Sequence, residues 1–311
     1  MNVVFMGSPA FAVPVLHALM SNKYDIAAVY TQPDKKGGRG QKLLACPVKE
    51  FAVSHGLTVV QPETLRNPDE IAKLKEFNPG LIIVAAYGQI LPEAVLNIPQ
   101  HGCLNVHPSL LPKYRGPSPV AAAILNGDTF AGVTIMLTEK KVDSGPIISQ
   151  EKMVINDEDT TGTLTERLFQ LGAEVLIKTL PDWIAGRIIP EKQDEKLASY
   201  TRMTVKEDGK LDWSLPAVDI WRRIRAYQPW PGCFTFYKGT RLIISKALPL
   251  EMFSDGEVGE VLKLADGGAT MIVVRTGQGL LELLNVQLEG KRSMTINEFV
   301  AGHKDFIGSI L

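Results

Sequence analysis

The chain has 311 residues, of which 45% are hydrophobic, and its formal net charge is −1 at pH 7. This length exceeds what one hydrophobic core usually supports, so we expect two domains, and the near-zero charge gives no whole-chain support to a nucleic-acid partner. No apolar run is long enough to span a membrane. The cysteines and histidines are scattered, so we predict no metal site, and the three isolated cysteines are typical of a reducing cytoplasm.

Strand and helix patterns alternate through the first part of the chain. The chain begins with the apolar run 3–6 and not with a basic-then-apolar leader, so we expect no secretory or transit peptide. Ser8 is predicted to cap the helix that follows this run. The run 81–86 lacks apolar/polar alternation, which is typical of a central parallel strand buried on both faces. Further strands are predicted at 26–30, 59–60, 103–106 and 133–137, and helices up to residue 20 and at 69–77, 118–125 and 161–183.

This alternation predicts an α/β domain with a doubly wound, mostly parallel, Rossmann-like sheet, in which ligands bind beyond the carboxyl ends of the strands. Gly186, Pro190 and a charge-rich stretch follow, and we interpret 185–204 as a linker between a catalytic domain at 1–184 and a smaller domain at 205–311. Several short strands after one helix predict that this second domain is a small β-barrel, OB-like in type. The helix is predicted at 217–227 and the strands at 233–237, 241–247, 259–264, 270–275 and 279–286.

The most informative stretch is Asn-Val-His-Pro-Ser-Leu-Leu-Pro at 105–112. Asn105 and His107 are two positions apart on a predicted strand, so their side chains lie on one face. Pro108 ends the strand and places both polar groups at its carboxyl end, where this fold class has its sites. An amide that donates and an imidazole that donates or accepts suit a reaction that develops charge on a carbonyl oxygen. The alternative is a structural strand-end histidine with a capping asparagine.

A carboxylate in a later loop adds to this pair. The predicted strand 133–137 leads into Lys-Val-Asp-Ser-Gly-Pro at 141–146, which holds Asp143 in a turn. On its own, Asp143 is typical of a turn residue whose side chain bonds nearby amides. Beside His107, it would orient the imidazole and raise its pKa, as a carboxylate–histidine pair does.

These motifs, together with Gly-Val-Thr-Ile-Met at 132–136, resemble those of the folate-dependent formyltransferases. The resemblance implies 10-formyltetrahydrofolate as the one-carbon donor, no metal, and Asn105, His107 and Asp143 as the catalytic residues. In the implied mechanism an acceptor amine attacks the formyl carbon, and Asn105 and His107 stabilise the oxyanion. Asp143 sets the protonation state of His107 and helps to relay the proton.

The same resemblance implies two segments that bind the folate. Without it, the second of them would be interpreted as a strand end with a glycine turn. The first segment consists of Ser109, Leu110, Leu111 and Pro112, and the second, which would form the pterin pocket, of Tyr87, Gly88, Gln89, Ile90 and Leu91.

The stretch 30–43 carries four basic residues and three glycines. It is not a Walker loop, because the chain contains no Gly-Lys-Ser or Gly-Lys-Thr, and its glycines do not complete a dinucleotide fingerprint. A solvated loop is the ordinary interpretation of such a run. However, the stretch is similar to the insertion loop in the branch of the family that acts on methionyl-tRNA. That resemblance implies that initiator tRNA is contacted by Lys35, Lys36, Lys42 and Arg39. Arg39 would read the first base-pair position of the acceptor stem, where the two bases of the initiator are unpaired.

The resemblance extends over nearly the whole chain, including Asp212-Trp213 and the stretch 224–232, and implies that the C-terminal barrel holds the tRNA. We therefore expect formyl transfer from 10-formyltetrahydrofolate to the α-amino group of initiator methionyl-tRNA, by a monomeric, bacterial, cytoplasmic enzyme. Two alternatives stay open. One is a formyltransferase for a nucleotide-linked amino sugar, and the other is a non-catalytic RNA-binding protein. The intact set of Asn105, His107 and Asp143 counts against the second. Candidate basic contacts in the barrel are Arg222, Arg223, Arg225, Lys238 and Arg241.

Overall fold

The computed structural model describes residues 1–37, 42–252, 255–266 and 269–311, and it divides the chain into two compact units. Each unit is assembled from three pieces of the chain. Unit 1 consists of Met1–Pro119, Phe130–Val154 and Thr165–Arg202, and unit 2 of Val120–Thr129, Ile155–Leu164 and Met203–Leu311. We expect a catalytic domain at 1–184, a linker at 185–204 and a tRNA-holding domain at 205–311, and this assignment stays a prediction.

Strands and helices alternate through the first 184 residues. The strands are β1 (Asn2–Gly7), β2 (Asp25–Tyr30), β3 (Lys35–Gly37), β4 (Lys42–Leu44), β5 (Val59–Val60), β6 (Leu81–Ala85), β7 (Cys103–His107), β8 (Phe130–Leu137) and β9 (Ile147–Val154). The helices are α1 (Val13–Ser21), α2 (Pro47–Ser54), α3 (Pro68–Glu76), α4 (Glu93–Leu96), α5 (Pro119–Leu125) and α6 (Thr161–Ile184).

The main sheet of unit 1 has the strand order β5-β2-β1-β6-β7-β8-β9. The five strands from β5 to β7 are parallel, whereas β8 and β9 are antiparallel to their neighbours. The predicted α/β fold with a mostly parallel sheet is therefore confirmed. The loops after β1, β2, β6 and β7 all leave from one edge of the sheet, which is where this fold class binds ligands.

Apolar side chains on both faces of the sheet hold it between two hydrophobic clusters. Every residue of β6 is buried, as predicted for a central parallel strand. On β7, Leu104 and Val106 pack into the cluster that contains residues of α1 and α6, whereas Cys103 packs into the opposite one. Asn105 and His107 alternate with Leu104 and Val106, so they share the face of Cys103.

The start of the first helix differs from the prediction. A 3-10 turn at Ala10–Ala12 comes first, and α1 begins at Val13 without a side-chain cap. The hydroxyl of Ser8 instead accepts a hydrogen bond from the backbone N–H of Gln32, at 3.0 Å. Ser8 therefore connects the loops that follow β1 and β2, and the prediction that it caps the helix is wrong.

Unit 2 contains a separate antiparallel sheet with the strand order β10-β11-β14-β13-β12, and a short β15 pairs with β14. This path is open in the described residues, so a closed OB-like barrel is not confirmed. In the same residues, no helix is long and apolar enough to cross a membrane. The strands are β10 (Cys233–Tyr237), β11 (Thr240–Leu250), β12 (Val261–Asp266), β13 (Ala269–Arg275), β14 (Leu280–Leu288) and β15 (Met294–Thr295), and the helices are α7 (Ala217–Ala226) and α8 (Ile296–Gly302).

Arg225, on α7, is a buried structural residue of unit 2. Its guanidinium donates to the backbone carbonyls of Asp159 at 2.9 Å and Asn156 at 2.7 Å. It also lies 4.3 Å from the ring centre of Trp221. The interpretation of Arg225 as a tRNA contact does not agree with this burial, because its donors are used to hold the 155–159 segment.

Candidate active site

The carboxyl end of β7 presents Asn105 and His107. Asn105 lies opposite Val84 of β6, and His107 lies opposite Thr134 of β8. The Asn105 side chain is half-buried, and its amide bonds to no side chain or backbone group within the described part of the chain. His107 is only 5% exposed. The strand therefore brings together a free amide and a nearly buried imidazole, as the sequence predicts.

Two contacts determine how the His107 imidazole is protonated. Nε2 lies 3.3 Å from the backbone carbonyl oxygen of Tyr114. Because a carbonyl can only accept, this contact places the proton of the neutral ring on Nε2. Nδ1 lies 3.7 Å from Oδ1 of Asp143, which is beyond hydrogen-bond length but close enough for a strong charge interaction. Nδ1 is thus the nitrogen at which a proton would be taken up beside a carboxylate.

Burial lowers the pKa of His107 below its ordinary value, and this effect exceeds the opposing effects of Asp143 and the Tyr114 carbonyl, which raise it. The expectation that Asp143 raises the pKa is correct for its own contribution. It is wrong for the net direction, because removing the ring from water penalises the imidazolium more. The imidazole is therefore neutral at neutral pH.

Asp143 reaches His107 from an unexpected direction. Since β8 runs antiparallel to β7, its last residue, Leu137, pairs with Leu104 near the start of β7. The loop 138–146 must therefore return along the sheet to bring Asp143 to His107. Asp143 has a left-handed backbone, with φ 51°, and its Oδ2 accepts a 2.8 Å hydrogen bond from the backbone N–H of Gly116.

The segment Ser109–Pro112 is fixed to the neighbouring strands. Thr134 donates to the carbonyl of Ser109 at 2.6 Å and accepts from the backbone N–H of Leu111 at 3.2 Å. The Ser109 hydroxyl donates to the carbonyl of Lys113 at 2.7 Å. Ser109 and Leu111 are buried, whereas Leu110 and Pro112 are half-buried. Several hydrogen bonds thus hold the segment in place, and its partly accessible side chains are apolar.

The residues of the loop after β6 differ in how far their side chains are exposed. Tyr87 and Leu91 are buried, so their side chains belong to the core. The amide of Gln89 accepts from the N–H of Leu65 and donates to the carbonyl of Pro62. Gly88 has φ 80°, and Ile90 is 62% exposed. Of the five side-chain positions predicted to line the pterin pocket, Gly88 and Ile90 are the exposed ones, and Gln89 is half-buried.

The root of the basic loop is anchored by polar contacts. Asp34 pairs with Lys49 at 2.6 Å and accepts from the Gln61 amide at 2.9 Å. The hydrogen bonds from Lys49 and Gln61 lower the pKa of Asp34. The Gln32 amide donates to the carbonyl of Tyr87 at 3.1 Å and accepts from Lys35 at 2.9 Å.

The structure describes only some of the residues that are predicted to contact tRNA. Lys35 and Lys36 are exposed on β3, which pairs with β4 in a hairpin. Arg39 lies outside the described residues, as does the side chain of Lys42. The ranges that are described contain no cluster of three His, Cys, Asp or Glu side chains suited to a metal ion.

Comparison with known proteins identifies the family of the chain. Residues 1–180 match the formyl transferase family model, and residues 204–304 match that of the formyl transferase C-terminal domain. A methionyl-tRNA formyltransferase of Caldanaerobacter subterraneus subsp. tengcongensis is 47% identical over 100% of both chains. This chain belongs to the methionyl-tRNA formyltransferase family. A second member, from Chloroflexus aurantiacus, is 46% identical over 99% of both chains.

The fold of this methionyl-tRNA formyltransferase family member also occurs in a protein of known structure. WlaRD is a sugar 3N-formyltransferase whose crystal structure was determined in the presence of dTDP and 5-N-formyl-THF. The likeness has a TM-score of 0.66 at 21% identity and covers 94% of this chain and 99% of that one. At this identity the comparison shows a shared fold.

Proposed function

We propose that this enzyme transfers the formyl group of 10-formyltetrahydrofolate to the α-amino group of methionine on initiator tRNA. The observation that carries the proposal is the buried, neutral His107 placed beside both the free amide of Asn105 and the carboxylate of Asp143. The full-length relatives support methionyl-tRNA as the acceptor. The amino-sugar alternative has weaker support, because the sugar enzyme is only 21% identical.

The chemistry follows from the protonation states of these groups. The neutral acceptor amine forms a C–N bond to the formyl carbon, and the carbonyl oxygen becomes an oxyanion. The Asn105 amide stabilises this charge as a donor, and His107 adds to the stabilisation once it has become an imidazolium. The nitrogen of the acceptor then loses a proton, which His107 takes up at Nδ1, where Asp143 stabilises the imidazolium. Cleavage of the bond between the formyl carbon and the folate nitrogen, with return of the proton to that nitrogen, releases tetrahydrofolate.

The proposed folate site lies where the loops after β6 and β7 leave the same edge of the sheet. Its residues fit a pterin and its formyl group, because exposed Ile90 and half-buried Leu110 and Pro112 offer apolar surface. Asn105 adds an amide with unused hydrogen-bonding capacity. The full proposed set is Tyr87, Gly88, Gln89, Ile90, Leu91, Ser109, Leu110, Leu111 and Pro112. Tyr87 and Leu91 contribute by shaping the loop from the core, and the reaction needs no metal.

The proposed tRNA contacts lie in the basic loop and in the C-terminal region. Lys35, Lys36 and Lys42 meet phosphates, and Arg39 reads the first base pair of the initiator acceptor stem. The domain at 205–311, OB-like in type, holds the tRNA after the linker at 185–204 and the catalytic domain at 1–184. We place the enzyme in the bacterial cytoplasm, where charged initiator tRNA is found, and we propose that it acts as a monomer.

A direct comparison of acceptors tests this function. Purified protein with 10-formyltetrahydrofolate is given either methionyl initiator tRNA or a nucleotide-linked amino sugar, and formylated product is measured. We expect product with the tRNA alone. Product with the sugar alone would establish the amino-sugar alternative, and RNA binding without product would establish a non-catalytic protein.

A further inference from the structure

Gln193 is a buried residue in a stretch whose sequence is typical of a solvated linker. Its neighbours from Glu191 to Leu197 are all exposed, whereas Gln193 is only 4% exposed. An amide gains nothing from leaving water unless its hydrogen bonds are replaced. The contacts of the amide therefore indicate what the residue does.

The Gln193 amide uses its donors and its acceptor on three partners in unit 1. Nε2 donates to the backbone carbonyl of Asp143 at 2.9 Å and to that of Gly145 at 2.7 Å. Oε1 accepts from Nε of Arg115 at 3.0 Å. A flipped amide would set its oxygen against two carbonyls, so this orientation is fixed.

Arg115 adds further hydrogen bonds to this arrangement. Its side chain is fully buried and donates to Glu195 and Tyr200 as well as to Gln193. Its backbone N–H donates to the carbonyl of Ser199, and its carbonyl accepts from the N–H of Thr201. The segment 193–201 is thus fastened to Arg115 at several points, and we call it the strap.

The strap and the residue after Arg115 hold Asp143 from two sides. Gln193 binds its backbone carbonyl, and the N–H of Gly116 binds Oδ2. The remaining oxygen, Oδ1, faces His107. Asp143 needs such support, because its loop returns from the far end of β8 and its backbone is left-handed, which is uncommon for a residue with a side chain.

We propose that Gln193 is a positioning residue that holds the 143–145 turn, so that Asp143 Oδ1 stays next to His107 during formyl transfer. This inference rests on the proposed roles of Asp143 and His107. It assigns the predicted linker a part in catalysis, through backbone hydrogen bonds and without contact to either substrate.

Three variants separate positioning from general stability. Gln193→Ala removes all three hydrogen bonds. Gln193→Glu keeps the size of the side chain and an acceptor for Arg115, but it replaces the two N–H donors with a carboxylate that repels the Asp143 and Gly145 carbonyls. Lys192→Ala, at the exposed neighbouring position, is the matched control. Each is assayed for kcat, for KM with 10-formyltetrahydrofolate, for the pH dependence of kcat and for thermal melting.

We expect kcat to fall roughly 10-fold in Gln193→Ala and at least as much in Gln193→Glu, with little change in KM. Because a displaced Asp143 no longer raises the pKa of His107, the acid limb of the kcat profile should move to lower pH in both variants. A loss of stability alone would not move this limb. Lys192→Ala should match the wild type. Wild-type kcat and pH profile in Gln193→Glu would overturn the proposal, since the bond to Arg115 would then be sufficient.

A double-mutant cycle with Asp143→Asn completes the test. If Gln193 acts through Asp143, adding Gln193→Ala to Asp143→Asn should change kcat less than twofold. An additive loss would contradict the proposal while leaving the proposed function intact. Failure of the proposed function would appear differently, as wild-type turnover in Asp143→Asn itself.

Discussion

Replacing Asp143 with Asn removes a charge from the active site at nearly constant shape. Asn tolerates the left-handed backbone of this position as well as Asp does. Its amide oxygen can still accept the hydrogen bond from the N–H of Gly116. The carbonyl that Gln193 binds is unchanged as well. We therefore expect a folded enzyme that lacks only the carboxylate beside His107.

The size of the effect follows from the geometry of the pair. Oδ1 of Asp143 lies 3.7 Å from Nδ1 of His107, and the two side chains are 14% and 6% exposed, so water screens them little. Opposite charges about 4 Å apart interact by about 4 kcal/mol at an effective dielectric constant of about 20. Loss of that interaction from a transition state that contains an imidazolium corresponds to at most ~10³-fold in rate. We expect kcat to fall ~10²- to 10³-fold, within the range for general acid–base catalysis.

The pH dependence provides an independent measurement. Neutral His107 is the form that accepts a proton, so activity is lost as the pH falls through its pKa. Asp143 raises that pKa, and its removal leaves burial, which lowers it, less opposed. The acid limb of kcat in Asp143→Asn should therefore lie at lower pH than in the wild type. Single-turnover formyl transfer to methionyl-tRNA measures both quantities. An acid limb that stays in place, or wild-type kcat, would refute the proposed coupling.

Three further predictions concern the same enzyme. His107→Ala should lower kcat at least ~100-fold while thermal melting and tRNA binding in a filter assay stay near wild type; undiminished turnover would remove His107 from the mechanism. Arg39→Ala should reduce the preference for initiator over elongator methionyl-tRNA without weakening folate binding, whereas an equal loss with a minimal amine acceptor would indicate a structural role. Gly88→Ala should destabilise more than Gly56→Ala: both positions have positive φ, but a Cβ at Gly88 would lie 2.1 Å from the Gln32 amide, whereas one at Gly56 meets nothing within 4 Å. Thermal melting compares the two, with about 1 kcal/mol expected for the shared backbone cost and more for Gly88, and equal losses would contradict the steric argument.

The parallel core of the sheet could be predicted because its strands are continuous apolar runs. The strand β9 could not, since it lies at the sheet edge and carries Gln150, Glu151 and Lys152 in sequence. The hairpin of β3 and β4 has no apolar alternation either. In these places exposure to water allows polar residues, so the pattern that identifies a buried strand is missing.

Part of the candidate site could likewise be predicted from the sequence, and part could not. Asn105 and His107 could be placed on one face from the period of a strand alone. The net pKa shift of His107 could not be predicted, because it depends on how completely the tertiary fold removes the ring from water. Gln193 could not be found either, because it contacts Asp143 across 50 positions of sequence and sits in a charged run that offers no signal.

The contacts of Arg225 have a consequence for how the protein is made. Its acceptors on Asn156 and Asp159 are synthesised roughly seventy residues before the arginine itself. Until α7 leaves the ribosome, the guanidinium that these carbonyls bind is absent, and so is the Ala226 carbonyl that accepts from the hydroxyl of Thr161. The core of unit 2 also draws on Leu125 and on strands as late as β14. Its folding is therefore post-translational in large part, and a fragment starting after Arg202 would lack the carbonyls that its buried guanidinium requires.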